Sequence, residues 1–353
     1  MNKTFKHKNV LFITTLFFSL IIFIISGCSS GTGSSDSSPA TPSPSPTVSP
    51  SPTPTWFSAD TFYVSNEDDD KISVINTGSP IVTSVVNVGD GPGEMAIHNH
   101  SQRLAVSNYK DDTVSILNMA DNTITNTIPV DDRPSGLAFS PDGSRLYVSN
   151  YGSDNVMVIE TANFTVTDTI EGLYGPTGLA VSPDGTRLYV NTLWDDKLCA
   201  VNTTTLEIAS KITVGDNPEG IVISSDGNYI YCSTTLDDSL QVVDSRAMEV
   251  VSTITVGDAP YGIAVSSDDA YVYVANQDSD DITVVKTEDN SVFTTVNVGD
   301  EPAAVAVSSE NGYVYVTNWR EGTVSVIETA GHTEIHSVSV GNRPYGVLVK
   351  TRN

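Results

Sequence analysis

Three sets of side chains in this 353-residue sequence have types and spacings that chemistry could use. His332, Glu334 and His336 alternate, so on a strand they would share one face and could ligate Zn or Cu. Asp69–Asp70 and Asp280–Asp281 are adjacent acids in Asp-rich segments, and hard oxygen ligands of that kind suit Ca2+. The aromatics Tyr109, Tyr151, Trp194, Tyr261, Trp319 and Tyr345 recur in the same kind of segment as Arg133, Glu301 and Arg343. Exposed aromatic side chains among charges make a recognition surface. Plainer readings stand beside the first two sets. The His-Glu-His trio fits an exposed outer strand with incidental polar residues, and Asp favours tight turns because its carboxylate bonds nearby backbone. There is no His-Glu-x-x-His, Cys-x-x-Cys, Gly-x-Ser-x-Gly or phosphate-binding loop. The reading is therefore no catalytic residue and no cofactor, with Ca2+ the one ion the loops would suit.

These residues sit in a regular frame. Stretches of the type "YVSN" begin at Tyr63, Ala105, Tyr147, Tyr189, Tyr231, Tyr273 and Tyr315, every interval being 42 residues. Prolines at 92, 134, 176, 218, 260, 302 and 344 keep the same interval. Within a unit, 136–140, 145–149, 155–160 and 165–170 are short apolar or β-branched runs separated by turn chemistry such as "SPDG" and "NYGSD". Apolar residues occupy both alternations, as in strands covered on both faces. Four antiparallel strands per unit, stacked on neighbours, describe a propeller blade. With the strands named A to D from the proline onward, the chain enters at strand B, over 61–66. C at 71–76 and D at 82–88 follow, and the chain ends on a lone strand A at 345–350. The expected fold is an all-β, seven-bladed β-propeller of 42-residue four-stranded repeats, its ring closed by the C-terminal strand pairing with the N-terminal strands. Strand A should line the central channel with small apolar residues, Glu94 at its mouth being the one ionisable group. That weighs against catalysis inside the channel. The B–C and D–A loops should share one face, which would carry about half of the chain's 43 acids.

The net charge of −26 argues against nucleic acid and anionic lipid as partners. Residues 1–27 read as a targeting segment, with Lys3, Lys6 and Lys8 ahead of an apolar run from Val10 to Ile25. Ile25-Ser26-Gly27-Cys28 looks like a bacterial lipobox, with cleavage before Cys28 and lipid on its sulfur. Residues 28–57, rich in Ser, Thr and Pro, read as an extended stalk. Residues 58–353 are the propeller. Cys199 and Cys232 read as small buried side chains.

The motifs "YVSN", "YVAN" and "YVTN", each followed by a "TVSVIET"-like strand and a "VGDxPxG" turn, resemble the YVTN family of β-propeller repeats across residues 61–350. The resemblance implies a surface-layer or bacterial envelope protein. Its motifs are strand and turn signatures, so they speak for fold rather than function. Thr192 and Thr234 replace the motif's Asn, and altered turns are expected there. The functional expectation is a lipid-anchored extracytoplasmic binding or scaffold protein for a protein or glycan of the cell envelope. The membrane is touched only through the lipid. The alternative is a propeller enzyme, a lactonase-like hydrolase or a quinone-dependent oxidoreductase, since other seven-bladed propellers include both.

Overall fold

The computed structural model describes residues 61–76, 81–309 and 312–350. The expected targeting segment, Cys28 and the stalk lie outside the described residues. The chain forms strands β1 to β28 in order, grouped as seven four-stranded antiparallel sheets. The innermost strands are β4 (Pro92–His98), β8 (Pro134–Phe139), β12 (Pro176–Val181), β16 (Pro218–Ile223), β20 (Pro260–Val265), β24 (Pro302–Val307) and β28 (Pro344–Lys350). Each packs beside the next and β28 beside β4, so they form a closed ring around a channel. The protein is a seven-bladed β-propeller.

The first blade joins the two ends of the propeller sequence. Its order is β28, β1 (Thr61–Asn66), β2 (Lys71–Asn76), β3 (Ile81–Asn87). Phe62 pairs with Val349, Tyr63 with Leu348 and Val64 with Val347. Val347 and Val349 then share a core with Phe62, Val64, Tyr315, Val324 and Val326, so the clasp is buried against the seventh blade.

The repeat motif earns its fold at each position. The tyrosines Tyr63, Tyr147, Tyr189, Tyr231, Tyr273 and Tyr315 are at most 3% exposed, and the residue after each, a valine or Cys232, is equally buried. Both alternations are apolar because each blade has a neighbour on each face. The motif's Asn ends the second strand of a blade and is buried. In four blades its amide donates to a hydroxyl on the third strand, Asn66 to Ser73 at 3.0 Å, Asn108 to Ser115, Asn276 to Thr283 and Asn318 to Ser325 at 2.9 Å, while Asn150 donates to the Asn155 amide oxygen at 2.8 Å. Where Thr stands instead, the turn is unchanged, contrary to expectation. Thr192 and Thr234 donate their hydroxyls to the carbonyls of Lys197 and Ser239, and Asp196 and Asp238 keep φ of 57° and 48° like their equivalents. The shorter side chain reaches the carbonyl at the start of the third strand, equivalent to the Lys71 carbonyl that the Asn66 amide also meets at 3.3 Å. Cys199 and Cys232 are free and buried, and burial pushes their thiols up to about 11 and about 12.

Candidate functional site

The recurring loop acids resolve first, because they share one job. Asp70, Asp112, Asp154, Asp196, Asp238 and Asp280 occupy left-handed backbone at φ 48–57°, a region Asp tolerates better than most residues. Each carboxylate accepts the amide N–H of the residue 21 positions later, Gly91, Arg133, Gly175, Asn217, Ala259 or Glu301, at 2.7–3.2 Å. Each thereby ties a B–C loop to the D–A loop that leads into the next blade. Asp69 accepts both the backbone and side-chain N–H of Asn342 at 2.8 Å, and these bonds hold its carboxyl below its ordinary range. Asp281 accepts from Asn276 at 2.6 Å and is held up by burial. Left-handed turn backbone and these loop-to-loop ties account for the acids, where the sequence suggests bonds to nearby backbone. Among the described residues no three His, Cys, Asp or Glu side chains are grouped to hold a metal ion.

The His-Glu-His trio is corrected. His332 is a turn residue at φ 46°, its ring set against Tyr271 (4.9 Å), Phe293 (5.2 Å) and Tyr273 (5.9 Å) of the preceding blade. Glu334 and His336 lie on β27 (Thr333–Ser339), separated by a bulge at Ile335 that breaks their alternation. A side chain wedged between blades cannot share a strand face with them.

The aromatic candidates divide into two groups. Trp194 is 58% exposed, yet its indole N–H donates to the Tyr151 hydroxyl at 2.8 Å and the rings meet edge-on at 5.6 Å. Tyr109 is exposed beside Lys110, whose ammonium is 5.9 Å from the ring. Arg133 contributes mainly backbone, donating to Asp112 and accepting from the Tyr151 amide. The second group lies at the channel rim. Trp319 is half-buried, donates to Glu67 at 3.1 Å, and carries the Arg343 guanidinium 4.5 Å above its ring. Arg343 pairs with Asp68 at 3.2 Å, Lys110 with Glu67 at 3.6 Å, and Arg320 with Glu301 at 2.7 Å.

Inside that rim the inner strands present what the sequence reading overlooked. Glu219 follows the proline of β16 and joins Glu94 of β4, Tyr261 of β20 and Tyr345 of β28 as a channel-mouth group. Glu94 is thus not the one ionisable group of the inner strands. Three of these backbones are pinned from the preceding blade: Asn191 donates to the Glu219 carbonyl at 3.2 Å, Thr317 to that of Tyr345 at 2.7 Å, and Ser233 to that of Tyr261. The next position in β16, β20 and β28 is glycine. At Gly220 a Cβ would run into the carbonyl of Tyr261 on the adjoining strand. This close approach holds the ring narrow. A register irregularity between each proline and the third residue after it re-aims the intervening side chains, as bulges do.

Tyr261 and Tyr345 come from strands two blades apart, with β24 and its alanines 303 and 304 between them. Their hydroxyls hydrogen-bond and their rings meet edge-on at 5.9 Å. Glu94 and Glu219 stand three blades apart, as far as two strands of a seven-membered ring can be. Both keep some surface open to the channel but lie deep among its walls. Desolvation pushes the Glu94 carboxyl up to about 7, opposed by the Met95 amide. Desolvation and then the charge of Glu94 push Glu219 up to about 8. Burial and the two carboxylates raise both phenols well above their ordinary value. Among the described residues none of the ion pairs involves Glu94 or Glu219. A titratable pair near neutrality, with two phenols, can bind a cation, share a proton or carry out acid–base chemistry.

Two family models match parts of the chain. Residues 198–293, which include Glu219 and Tyr261, match a family described as lactonase, 7-bladed beta-propeller. Residues 93–194, which include Glu94 and Trp194, match a YNCE-like beta-propeller family. Each match spans less than a third of the 353 residues. No curated protein is significantly similar in sequence. Among solved structures, hydrazine synthase of Kuenenia stuttgartiensis is similar at TM-score 0.71 and 22% identity, over 76% of this chain and 92% of that one. A functionally unknown protein from Desulfotomaculum acetoxidans DSM 771 is similar at TM-score 0.74 and 13% identity, over 84% and 100%. At these identities the likeness is one of fold.

Proposed function

We propose that this propeller is a binding protein, held outside the cytoplasm by lipid on Cys28, whose ligand seats at the loop-lined mouth of the central channel. The observation that carries the reading is the set Glu94, Glu219, Tyr261 and Tyr345. Two poorly hydrated carboxyls without a cationic partner weaken a fold. No blade needs them, since five inner strands do without. Groups kept against stability at a concave opening mark a site of use. The surrounding acidic face, with Trp194 and Tyr109 exposed on it, supports docking of a protein or glycan of the envelope around that mouth. A thermal-shift screen of a small-molecule library tests this. Compounds that raise the melting temperature of the parent are expected to have no effect on the Glu94→Gln, Glu219→Gln double variant. Equal stabilisation of both proteins would place the site elsewhere.

One observation favours a second reading, a hydrolase of lactones or related esters. The lactonase-family match covers Glu219 and Tyr261, and the carboxyl pair has the proton affinities of a base and an acid near pH 7. In that reading the ionised carboxyl of the pair takes a proton from water as it attacks the carbonyl carbon. A phenol supports the oxyanion, and the carboxyl that remains protonated returns a proton to the leaving oxygen. A bell-shaped pH–rate profile for lactone opening, lost in either Gln variant, would move the protein from binding to catalysis.

A further inference from the structure

The mouth holds two carboxyl groups on inner strands three blades apart, and among the described residues no basic side chain is paired to either. The cations of the rim do not fill that role. Arg343 is engaged by Asp68 and the Trp319 ring, Lys110 by Glu67, and Arg320 by Glu301. Between the carboxylates stand two phenol rings, whose electron-rich faces attract ammonium groups. The hydroxyl pair uses one of its two hydrogens internally, so the second is free to meet a carboxylate or an incoming group. Acids crowd the surrounding loops, and a narrow opening lined by one sign of charge concentrates ions of the other.

We propose that the channel mouth is a receptor for a small organic cation, best a diammonium chain, held between Glu94 and Glu219 and against the rings and hydroxyls of Tyr261 and Tyr345. This rests on the mouth being the ligand seat. The diammonium form follows from the placement of the carboxylates on blades three apart, which lets one chain bridge opposite walls. Binding draws protons off the carboxyls, so it strengthens as pH rises through their range. The titratable groups facing them are Tyr261, Tyr345 and each other, with Glu67 acting on Tyr345 from the rim. None of these supplies a competing positive charge.

Isothermal titration of the purified full-length chain with 1,4-diaminobutane tests this, with 1,4-butanediol and calcium chloride as controls at constant ionic strength. One diamine is expected to bind per chain, with affinity rising as pH rises from 6.5 to about 8, by about tenfold per pH unit for each proton displaced, and levelling off above that. The measured heat should change with the ionisation enthalpy of the buffer. Glu94→Gln and Glu219→Gln should each weaken binding by about tenfold or more, while Glu160→Gln, the same charge change at a distant blade edge, leaves it unchanged. Equal binding of diol and diamine, a pH-independent affinity, or an equal loss in the Glu160 variant would overturn the inference. If the diol binds, loses affinity in the Glu94 variant, and the diamine does not bind, the cation inference fails while the ligand seat stands.

Discussion

Glu94 and Glu219 bind their protons more tightly in the folded protein than in the unfolded chain, where carboxyls of glutamate titrate near 4.5. The native state therefore holds extra protons between that value and about 8. Stability falls as pH rises through this window and levels off above it. His332 acts in the opposite sense. Desolvation lowers its affinity for a proton, so its share of stability is lost as pH falls below the ordinary imidazole value of 6.5. Comparing parent and variant cancels His332. Denaturant unfolding of the Glu94→Gln, Glu219→Gln protein should match the parent near pH 4.5 and show it less stable than the variant at pH 8.5. A difference that does not grow with pH would mean that water reaches both carboxyls freely.

Between residue and ring, the blade-to-blade ties act as elements. The Asp112 carboxylate accepts the Arg133 amide at 2.9 Å, its carbonyl accepts Val130 at 2.9 Å, and its φ is 52°. Asp112→Ala removes the acceptor and leaves an ordinary Cβ in left-handed backbone, a combined cost of about 2–4 kcal/mol. Asp112→Asn keeps an acceptor oxygen and tolerates the same conformation, so it should cost under about 1 kcal/mol. Urea unfolding of the two variants checks the ratio, and equal losses would show that the charge, rather than the turn, is what matters. The exposed indole of Trp194 belongs to a different kind of element. It is fixed by Tyr151 without being needed by the core, as suits a residue that meets a partner.

Closure belongs to the whole molecule. β28 supplies the inner edge of the first blade, and Val347 and Val349 are buried with Phe62, which stacks on Tyr315 of the seventh blade at 4.5 Å. Deleting 344–353 removes Tyr345, Val347, Leu348 and Val349 together with a strand's worth of backbone hydrogen bonds. At ~1.5–3 kcal/mol for each buried valine and part of that for half-buried Tyr345 and Leu348, the gross loss is roughly 4–9 kcal/mol, which rivals the ~5–15 kcal/mol net stability of a typical domain. The truncated protein should unfold or aggregate. Removing 29–50, about twice as many residues with no apolar pattern, should leave the melting temperature almost unchanged. Calorimetry of both deletions checks the contrast, and two equally small effects would show a ring held shut by other contacts.

The 42-residue period by itself determined the blades, their four strands, the shared face of the B–C and D–A loops and the closing strand. A strict repeat fixes all of these, because each unit must bury both faces on copies of itself. That the recurring Asp residues serve the loop backbone was legible for the same reason, but the sequence suggests nearby partners, whereas each carboxylate reaches an amide 21 residues on in another loop. What escaped was whatever the ring brings together across blades. Tyr261 meets Tyr345 over 84 residues and Trp319 meets Glu67 over 252, separations at which a repeat says which positions are equivalent but not which side chains touch. Glu219 was passed over because it directly follows the proline, ahead of the apolar stretch, where the inner strands lose their simple two-residue alternation. His332 looked like a strand residue until a left-handed turn and three aromatic neighbours took it. Local pattern decides strands and turns, because neighbouring residues supply their hydrogen bonds. The chemistry of the channel mouth depends on desolvation and on charges facing each other across a closed ring, and those exist only once the seventh blade meets the first.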